Sequence, residues 1–172
     1  MHEMLFRLLE EPSSDKFLEI RKIISESEWY SPYSTELYDI NKCLMKEAYQ
    51  DAIEKYHSTF PNLLLNPGVH FMLSYAYQGL GNEEMANFEK GVASFLMSFI
   101  METGDGTRKH PYLVLRTSDE YDVLDALGKD RREQKLIEHK GRFLDLQTCS
   151  DGTEIYFDVT LPYKQFDKYP SP

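Results

Sequence analysis

The sequence is short of cysteine and of long apolar runs, and both absences exclude classes of protein. Its two cysteines, Cys43 and Cys149, lie far apart without metal-ligand spacing, so we expect reduced thiols rather than a zinc site or a disulfide framework. No run approaches the roughly 18 apolar residues of a membrane-spanning helix, and the first residues lack the basic region and apolar core of a signal peptide. We therefore expect a cytoplasmic protein without a metal or other cofactor.

Basic residues are also scarce, since 19 Lys and Arg stand against 29 Asp and Glu, a formal net charge of −10. Nucleic-acid backbones and acidic membrane surfaces are repelled by this charge, so we expect neither as a partner. The acidic excess is uneven: residues 1–103 hold 16 acidic and 8 basic side chains, whereas residues 104–172 hold 13 and 11. The acidic first part is either a solvated surface that keeps the chain soluble or a groove for a basic partner.

The stretch from His70 to Leu96 has the pattern of two helices joined by a short turn, and the chain is organised around this hairpin. Asn66 is a good N-cap and Pro67 fits the first helical turn, while Gly81 marks the end of the helix and Asn82 caps the next one. The dense apolar coverage of the first helix predicts burial on more than one side. The second helix carries a wide apolar stripe of Met85, Phe88, Val92, Phe95, Leu96 and Phe99.

This spacing resembles the tetratricopeptide repeat, a helix–turn–helix unit of about 34 residues. Ala52 and Ala86 are separated by that period, and His70, Lys90 and Pro61 depart from the repeat pattern. The positions that match it are Leu73, Ser74, Tyr77, Gly81, Asn82, Ala86 and Ala93 in one unit, and Tyr49, Ala52, Ile53 and Tyr56 in the unit before. The pattern predicts four helices within residues 36–101, stacked as repeat-like hairpins. An ordinary helical bundle is the alternative.

An aromatic segment, WYSPYS at residues 29–34, follows two shorter predicted helices. It contains proline and is too short for a regular element. Aromatic rings in such a segment either pack over a helix end or present a recognition patch, because Trp and Tyr combine an apolar body with a polar tip. Trp29 and Tyr33 are the candidate patch residues.

Strand patterns appear after residue 103. The residues YLVLR at 112–116 favour a strand, and a capping box of Thr117 and Glu120 opens a helix. Three further strands are predicted at 135–138, 142–148 and 154–161. The predicted fold class is therefore α+β. A helical region, 1–103, is followed by a small antiparallel sheet with one helix, 104–172, packed on it as one compact unit.

Four short landmarks carry a family resemblance: Tyr30-Ser31-Pro32-Tyr33, residues 103–106, Asp119-Glu120-Tyr121 and Ile155-Tyr156-Phe157-Asp158. In this order they resemble an uncharacterised bacterial domain family of unknown function. Its members have a tetratricopeptide-like helical part and a short C-terminal α+β part. The resemblance covers the chain from about Trp29. It implies the fold and carries no activity with it.

The Gly104-Asp105-Gly106-Thr107 segment is the candidate special backbone site. Glycines allow positive φ and expose N–H groups that can form an anion nest, and Asp105 can ligate a hard cation. The alternative is a tight turn in which Asp105 caps backbone N–H groups. The segment lacks the lysine of a P-loop and the spaced acids of a calcium loop.

These patterns predict a protein-binding or scaffolding module whose helical surface takes an extended peptide or a helix of an unidentified protein. The candidate binding residues are Tyr49, Tyr77, Trp29, Tyr33, Gly104, Asp105 and Gly106. A homodimer formed through residues 29–33 is a third hypothesis. The alternative function is a hydrolase or small-ligand site near residues 104–107, where His110, Asp105 and Glu120 would converge. A nucleophile pair of Cys149 and His139 on neighbouring strands is a further catalytic alternative.

Overall fold

The computed structural model describes residues 2–166, and these form eight α-helices and four β-strands. The helices are α1 His2–Glu10, α2 Ser14–Glu26, α3 Glu36–Leu44, α4 Tyr49–Ser58, α5 Pro67–Gly79, α6 Glu83–Glu102, α7 Thr117–Ala126 and α8 Thr160–Phe166. The strands are β1 Tyr112–Leu113, β2 Arg131–His139, β3 Arg142–Cys149 and β4 Glu154–Asp158. The predicted α+β class with a helical N-terminal part is confirmed.

The chain divides into two compact units, Met1–Leu96 and Met97–Pro172. The division lies within α6, seven residues before the boundary expected from the sequence. That the two regions pack as one unit stays a prediction. Within residues 2–166, no helix is both long and apolar enough to cross a membrane.

Helix starts in the first unit follow the sequence closely. Asn66 caps α5, because its side-chain Oδ1 accepts a hydrogen bond from the Val69 N–H at 2.7 Å, and Pro67 occupies the first turn. The side chain of Asn82 accepts from the Met85 N–H at 3.1 Å at the start of α6. These local predictions are confirmed.

The core of the helical unit lies among α3, α4, α5 and the loop that precedes α5, and these three helices contact one another. Ala52 and Ala76 are fully buried in it, as small side chains are where helices approach closely. Its buried members are Ile40, Leu44, Ala52, Ile53, Tyr56, Leu63, Val69, Leu73 and Ala76. The broad burial predicted for α5 is wrong on one face, where Phe71 and Tyr75 remain 45% and 53% exposed.

The sheet of the second unit has the order β1-β4-β3-β2 and is mixed. β2 and β3 form an antiparallel hairpin, β3 pairs antiparallel with β4, and β1 pairs parallel with β4 through the Tyr112↔Phe157 register. The sequence predicted an antiparallel sheet, and β1 departs from that. A parallel pair needs a long crossover, which α7 and the β2–β3 hairpin supply.

The chain after β4 also differs from its prediction. The strand ends at Asp158, three residues early, and Thr160–Phe166 forms α8. The Asp158 Oδ1 accepts from the Thr160 N–H at 3.0 Å, and Pro162 fits the first helical turn. The end of the predicted strand is therefore helical, and residues 167–172 lie outside the described residues.

Candidate functional site

Three aromatic side chains lie in line on α4 and α5: Phe71 and Tyr75 are exposed, and Tyr49 is half-buried against the core of the helical unit. Phe71 and Tyr75 are one helical turn apart on the same face of α5. The ring of Tyr49, at the start of α4, meets Tyr75 edge-on with 5.9 Å between centroids. Gly79 continues the same face one turn further, and a Cβ there would overlap the Tyr49 ring. We call Phe71, Tyr75 and Tyr49 the aromatic strip.

Tyr49 keeps a neutral hydroxyl. Burial raises the pKa of Tyr49 above its ordinary value of 10.0, and a hydrogen bond with Tyr75 and the negative charge of Glu47 add to the effect. The strip thus offers apolar ring faces together with hydroxyl donors. That combination is typical of protein-binding surfaces.

Tyr77, the other tyrosine predicted for a groove, lies on a different face of α5 from Phe71 and Tyr75. Like Tyr49, it is half-buried and packs against the core of the helical unit. Burial raises the pKa of Tyr77, and the charge of Glu89 adds to this. A substitution at Tyr77 would therefore disturb packing as well as surface, which makes Tyr75 the better residue for testing binding.

The buried side chain of Asn62 is hydrogen-bonded to the aromatic segment at residues 29–34. Asn62 is 4% exposed, and its Oδ1 accepts from the Ser31 N–H at 3.0 Å while its Nδ2 donates to the Ser31 carbonyl at 3.1 Å. The same Nδ2 donates to Glu36 Oε2 at 2.5 Å. Anchored in this way, the segment leaves Trp29 and Tyr33 64% and 48% exposed.

We expect Asn62→Asp to destabilise the helical unit by about 2–3 kcal/mol, because it removes the Nδ2 donor and places a carboxylate against Glu36. Iodide quenching of Trp29, the single tryptophan, reports the release of the segment. Asn87→Asp, at an exposed position of α6, is the matched control and should leave stability and quenching near wild type. Equal stability of the Asn62 variant and wild type would contradict this role.

The Gly104–Thr107 turn uses its polar groups internally. The Asp105 N–H donates to the His110 carbonyl at 2.9 Å, and the Thr107 N–H donates to Asp105 Oδ1 at 2.9 Å. The Gly106 carbonyl accepts from the Tyr156 N–H at 2.8 Å, which ties the turn to β4. Two N–H groups of the expected nest are therefore occupied. Hydrogen bonding with Thr107 lowers the pKa of Asp105.

Both glycines of this turn are required by close approach. A Cβ on Gly104 would overlap the carbonyl oxygens of His110 and Pro111, and Gly106 has φ +75 with the Tyr112 ring beside it. Within residues 2–166, no group of three or more His, Cys, Asp or Glu side chains is placed to hold a metal ion, Asp105 included. These contacts describe a structural turn between α6 and β1.

The residues of the two catalytic alternatives do not form either arrangement. Asp105 and His110 are exposed, whereas Glu120 is fully buried and accepts from Gln147 Nε2 at 2.6 Å. His139 lies opposite Arg142 at the tip of the β2–β3 hairpin, and Cys149 lies opposite Arg131 at its far end. The Cys149 side chain is buried, and burial raises the pKa of its thiol.

A buried polar cluster joins α7 to the hairpin strands. Gln147 donates to Glu120, and the Nε2 of Gln134, an exposed residue of β2, donates to the buried Asp145 Oδ2 at 2.6 Å. Burial raises the pKa of Glu120 to about 9, and the negative charge of Asp145 is the next largest cause. Glu120 is therefore protonated at neutral pH. The sequence predicted that Glu120 caps the start of α7, and this is wrong. Asp119 caps it instead, because its Oδ2 accepts from the Arg116 N–H at 3.0 Å.

A second buried pair lies in the helical unit, at His70 and Glu89. The His70 Nδ1 is 2.7 Å from Glu89 Oε2, and Nε2 is 3.0 Å from the Leu64 carbonyl. Because a carbonyl only accepts, Nε2 carries a proton and donates it to Leu64. The Tyr56 ring packs edge-on against the imidazole at 5.6 Å. Both partners are enclosed, which points to a structural pair.

Sequence reasoning missed one cluster of charged residues, at positions 108–109 and 139–142. Composition could have indicated this cluster, because these two short basic stretches stand out in a chain with a net charge of −10. Their convergence depends on the sheet, which brings together residues about thirty positions apart.

A family model described as a domain of unknown function (DUF4919) matches residues 26–168. Neither the curated proteins nor the solved structures contain a match to the chain.

Proposed function

The chain belongs to the DUF4919 domain family, and from its own side chains we propose that it is a protein-binding module that acts through the aromatic strip. The observation that carries this proposal is the exposure of Phe71 and Tyr75 in line with Tyr49. Exposed aromatic side chains that cluster on a regular element mark interaction sites more often than scattered apolar residues do.

The arrangement of the helices supports the proposal. α3 packs with α4, and α4 packs with α5. Ala52 of α4 and Ala86 of α6, one repeat period apart, are both buried. A tetratricopeptide-like pair of hairpins is the architecture we propose for this unit, since such units bind peptides and helices on their exposed helix faces.

The charge of the helical unit supports a basic partner. The acidic side chains Glu47, Asp51 and Glu54 are exposed on α4 or just before it. The first 103 residues hold twice as many acidic as basic side chains. We therefore propose an amphipathic helix or peptide whose apolar side chains meet the aromatic strip and whose Lys and Arg side chains meet these carboxylates.

We also propose that the protein acts in the cytoplasm. Both cysteines are free, which is typical of a reducing environment such as the cytoplasm. A bacterial cytoplasmic setting is consistent with the family resemblance, and immunolocalisation in the source cell tests it directly.

A labelled helix-forming peptide of Leu and Lys, titrated with the full chain and followed by fluorescence anisotropy, tests the proposal. We expect saturable binding that weakens at least about tenfold in a Phe71→Ser/Tyr75→Ser double variant, because truncation of central aromatic contacts is costly. Leu136→Ser removes an equally exposed apolar side chain from β2 and should leave binding unchanged.

Equal affinity of wild type and the double variant would overturn the proposal, as would equal binding of a matched Leu/Glu peptide. Light scattering on the free protein addresses a second copy as the occupant. A dimer that dissociates in the double variant would replace the external partner by self-association.

Gly79→Ala tests the position of the Tyr49 ring without removing any ring. The new Cβ displaces the ring, so peptide affinity should fall at least about threefold, while helix stability is kept or raised because Ala is the better helix former. Gly91→Ala in α6 is the matched control, since a Cβ there meets no atom within 4 Å. Unchanged affinity for Gly79→Ala would place the binding surface away from Tyr49.

A further inference from the structure

Five side chains capable of positive charge surround one cavity of about 340 Å³ in the second unit. Among the described residues, those lining it are Arg108, Lys109, His139, Lys140 and Arg142. Arg108 and Lys109 come from the loop between α6 and β1, and the other three come from the tip of the β2–β3 hairpin. No residue in this lining is acidic, although the chain as a whole is.

The backbone fixes both halves of this lining. Two backbone hydrogen bonds close a tight loop in the first half. The Asp105 N–H donates to the His110 carbonyl, and the His110 N–H donates to the Thr107 carbonyl. Arg108 and Lys109 lie at the outer end of this loop. In the hairpin, Lys140 and Gly141 have φ of +53 and +75. Positive φ at both central residues is the type I′ turn, which favours Asn, Asp or Gly where Lys140 stands.

The charges in the cavity are incompletely neutralised. Arg142 is 3.5 Å from Asp158, whereas Arg108, Lys109 and Lys140 take part in no ion pair with other residues of the range 2–166. Arg108 Nη2 lies 3.3 Å from His139 Nδ1. Because a guanidinium only donates, Nδ1 accepts, and the ring proton sits on Nε2.

The neighbourhood is correspondingly positive. Burial lowers the pKa of His139, and the charges of Arg108, Lys140 and Arg142 lower it further. Like charges held together repel one another, and a bound anion removes that repulsion.

We propose that this cavity binds the phosphate group of a phosphomonoester. Lys, Arg and a neutral imidazole all donate, and several converging donors match the three terminal oxygens of a phosphate dianion better than the two of a carboxylate. The volume lies in the range of small-molecule sites, so an organic group fits with the phosphate. The net charge of −10 opposes long polyanions, which favours a discrete ligand.

Isothermal titration of the full chain with glycerol 3-phosphate, with acetate as the carboxylate control, tests the site. We expect binding of the phosphomonoester that weakens about tenfold in Lys140→Asn and in Arg108→Gln. Lys140→Asn is informative because Asn suits positive φ, so the variant should fold at least as well as wild type. Lys135→Gln removes an exposed β2 cation outside the cavity and should bind normally.

Sedimentation with phosphatidylcholine vesicles, with and without phosphatidic acid, distinguishes a lipid headgroup from a free phosphate as the source. Lys140-dependent binding to glycerol 3-phosphate assigns a soluble ligand, and Lys140-dependent binding to phosphatidic acid vesicles alone assigns a headgroup. Absence of binding in both experiments overturns the proposal. Binding that Lys140→Asn and Arg108→Gln leave unchanged also overturns it, because the phosphate would then lie elsewhere.

Discussion

Glu120→Gln should stabilise the second unit by about 2–5 kcal/mol at pH 8 and remove most of its pH dependence. The ordinary pKa of a glutamate is 4.5, and in the folded chain the pKa of Glu120 is about 9. Between these values the folded state holds one proton more than the unfolded state. The free energy of unfolding therefore falls as pH rises, by up to about 1.4 kcal/mol for each pH unit. Gln keeps the shape, accepts from Gln147 and carries no charge.

Urea unfolding at a series of pH values, followed through the amide NMR signals of β3, measures this effect in the unit concerned. Asp125→Asn is the matched control, because it removes an equal charge from an exposed position of α7 and should keep the wild-type pH dependence. A Glu120→Gln curve parallel to wild type between pH 5 and pH 9 would show that Glu120 is ionised in the folded chain and would contradict the account of the buried cluster.

His70→Ala should destabilise the helical unit by about 3–5 kcal/mol. The substitution leaves Glu89, 7% exposed, without its partner, and it also removes the donor to the Leu64 carbonyl. The lost ring packing against Tyr56 adds to the cost. Urea unfolding followed by far-UV circular dichroism measures the loss.

Two variants give this prediction its control. His57→Ala removes an exposed histidine from α4 and should change stability by less than about 0.5 kcal/mol. The double variant His70→Ala/Glu89→Met should recover part of the loss, because it removes the unpaired buried carboxylate. Additive losses in the double variant would show that the two side chains do not act as a pair.

Features set by near neighbours were predictable from the sequence. The caps of α5 and α6 at Asn66 and Asn82 depend on the next three residues, and both form as expected. The turn at Lys140 and Gly141 was also predictable from local residue types. The alternation of Ile155 and Phe157 fixed the buried face of β4, because strand side chains alternate between faces.

Features that need distant partners were not predictable. Glu120 has the position of a capping residue in the sequence, yet Gln147, 27 residues away, holds it inside the fold. The exposed face of α5 could not be inferred from its apolar pattern, because exposure depends on which helices cover it. The basic cavity joins Arg108 to His139, 31 residues apart, through the order of the strands.

The functional account depends on where a basic amphipathic partner touches the chain. Amide chemical shifts of the full chain, recorded while the Leu/Lys peptide is added, measure this most directly. We predict saturable shift changes concentrated in residues 47–54 and 70–80, around the aromatic strip, and their loss in the Phe71→Ser/Tyr75→Ser variant. Changes that are spread evenly over the acidic surface, or that persist in this variant, would contradict the proposed function.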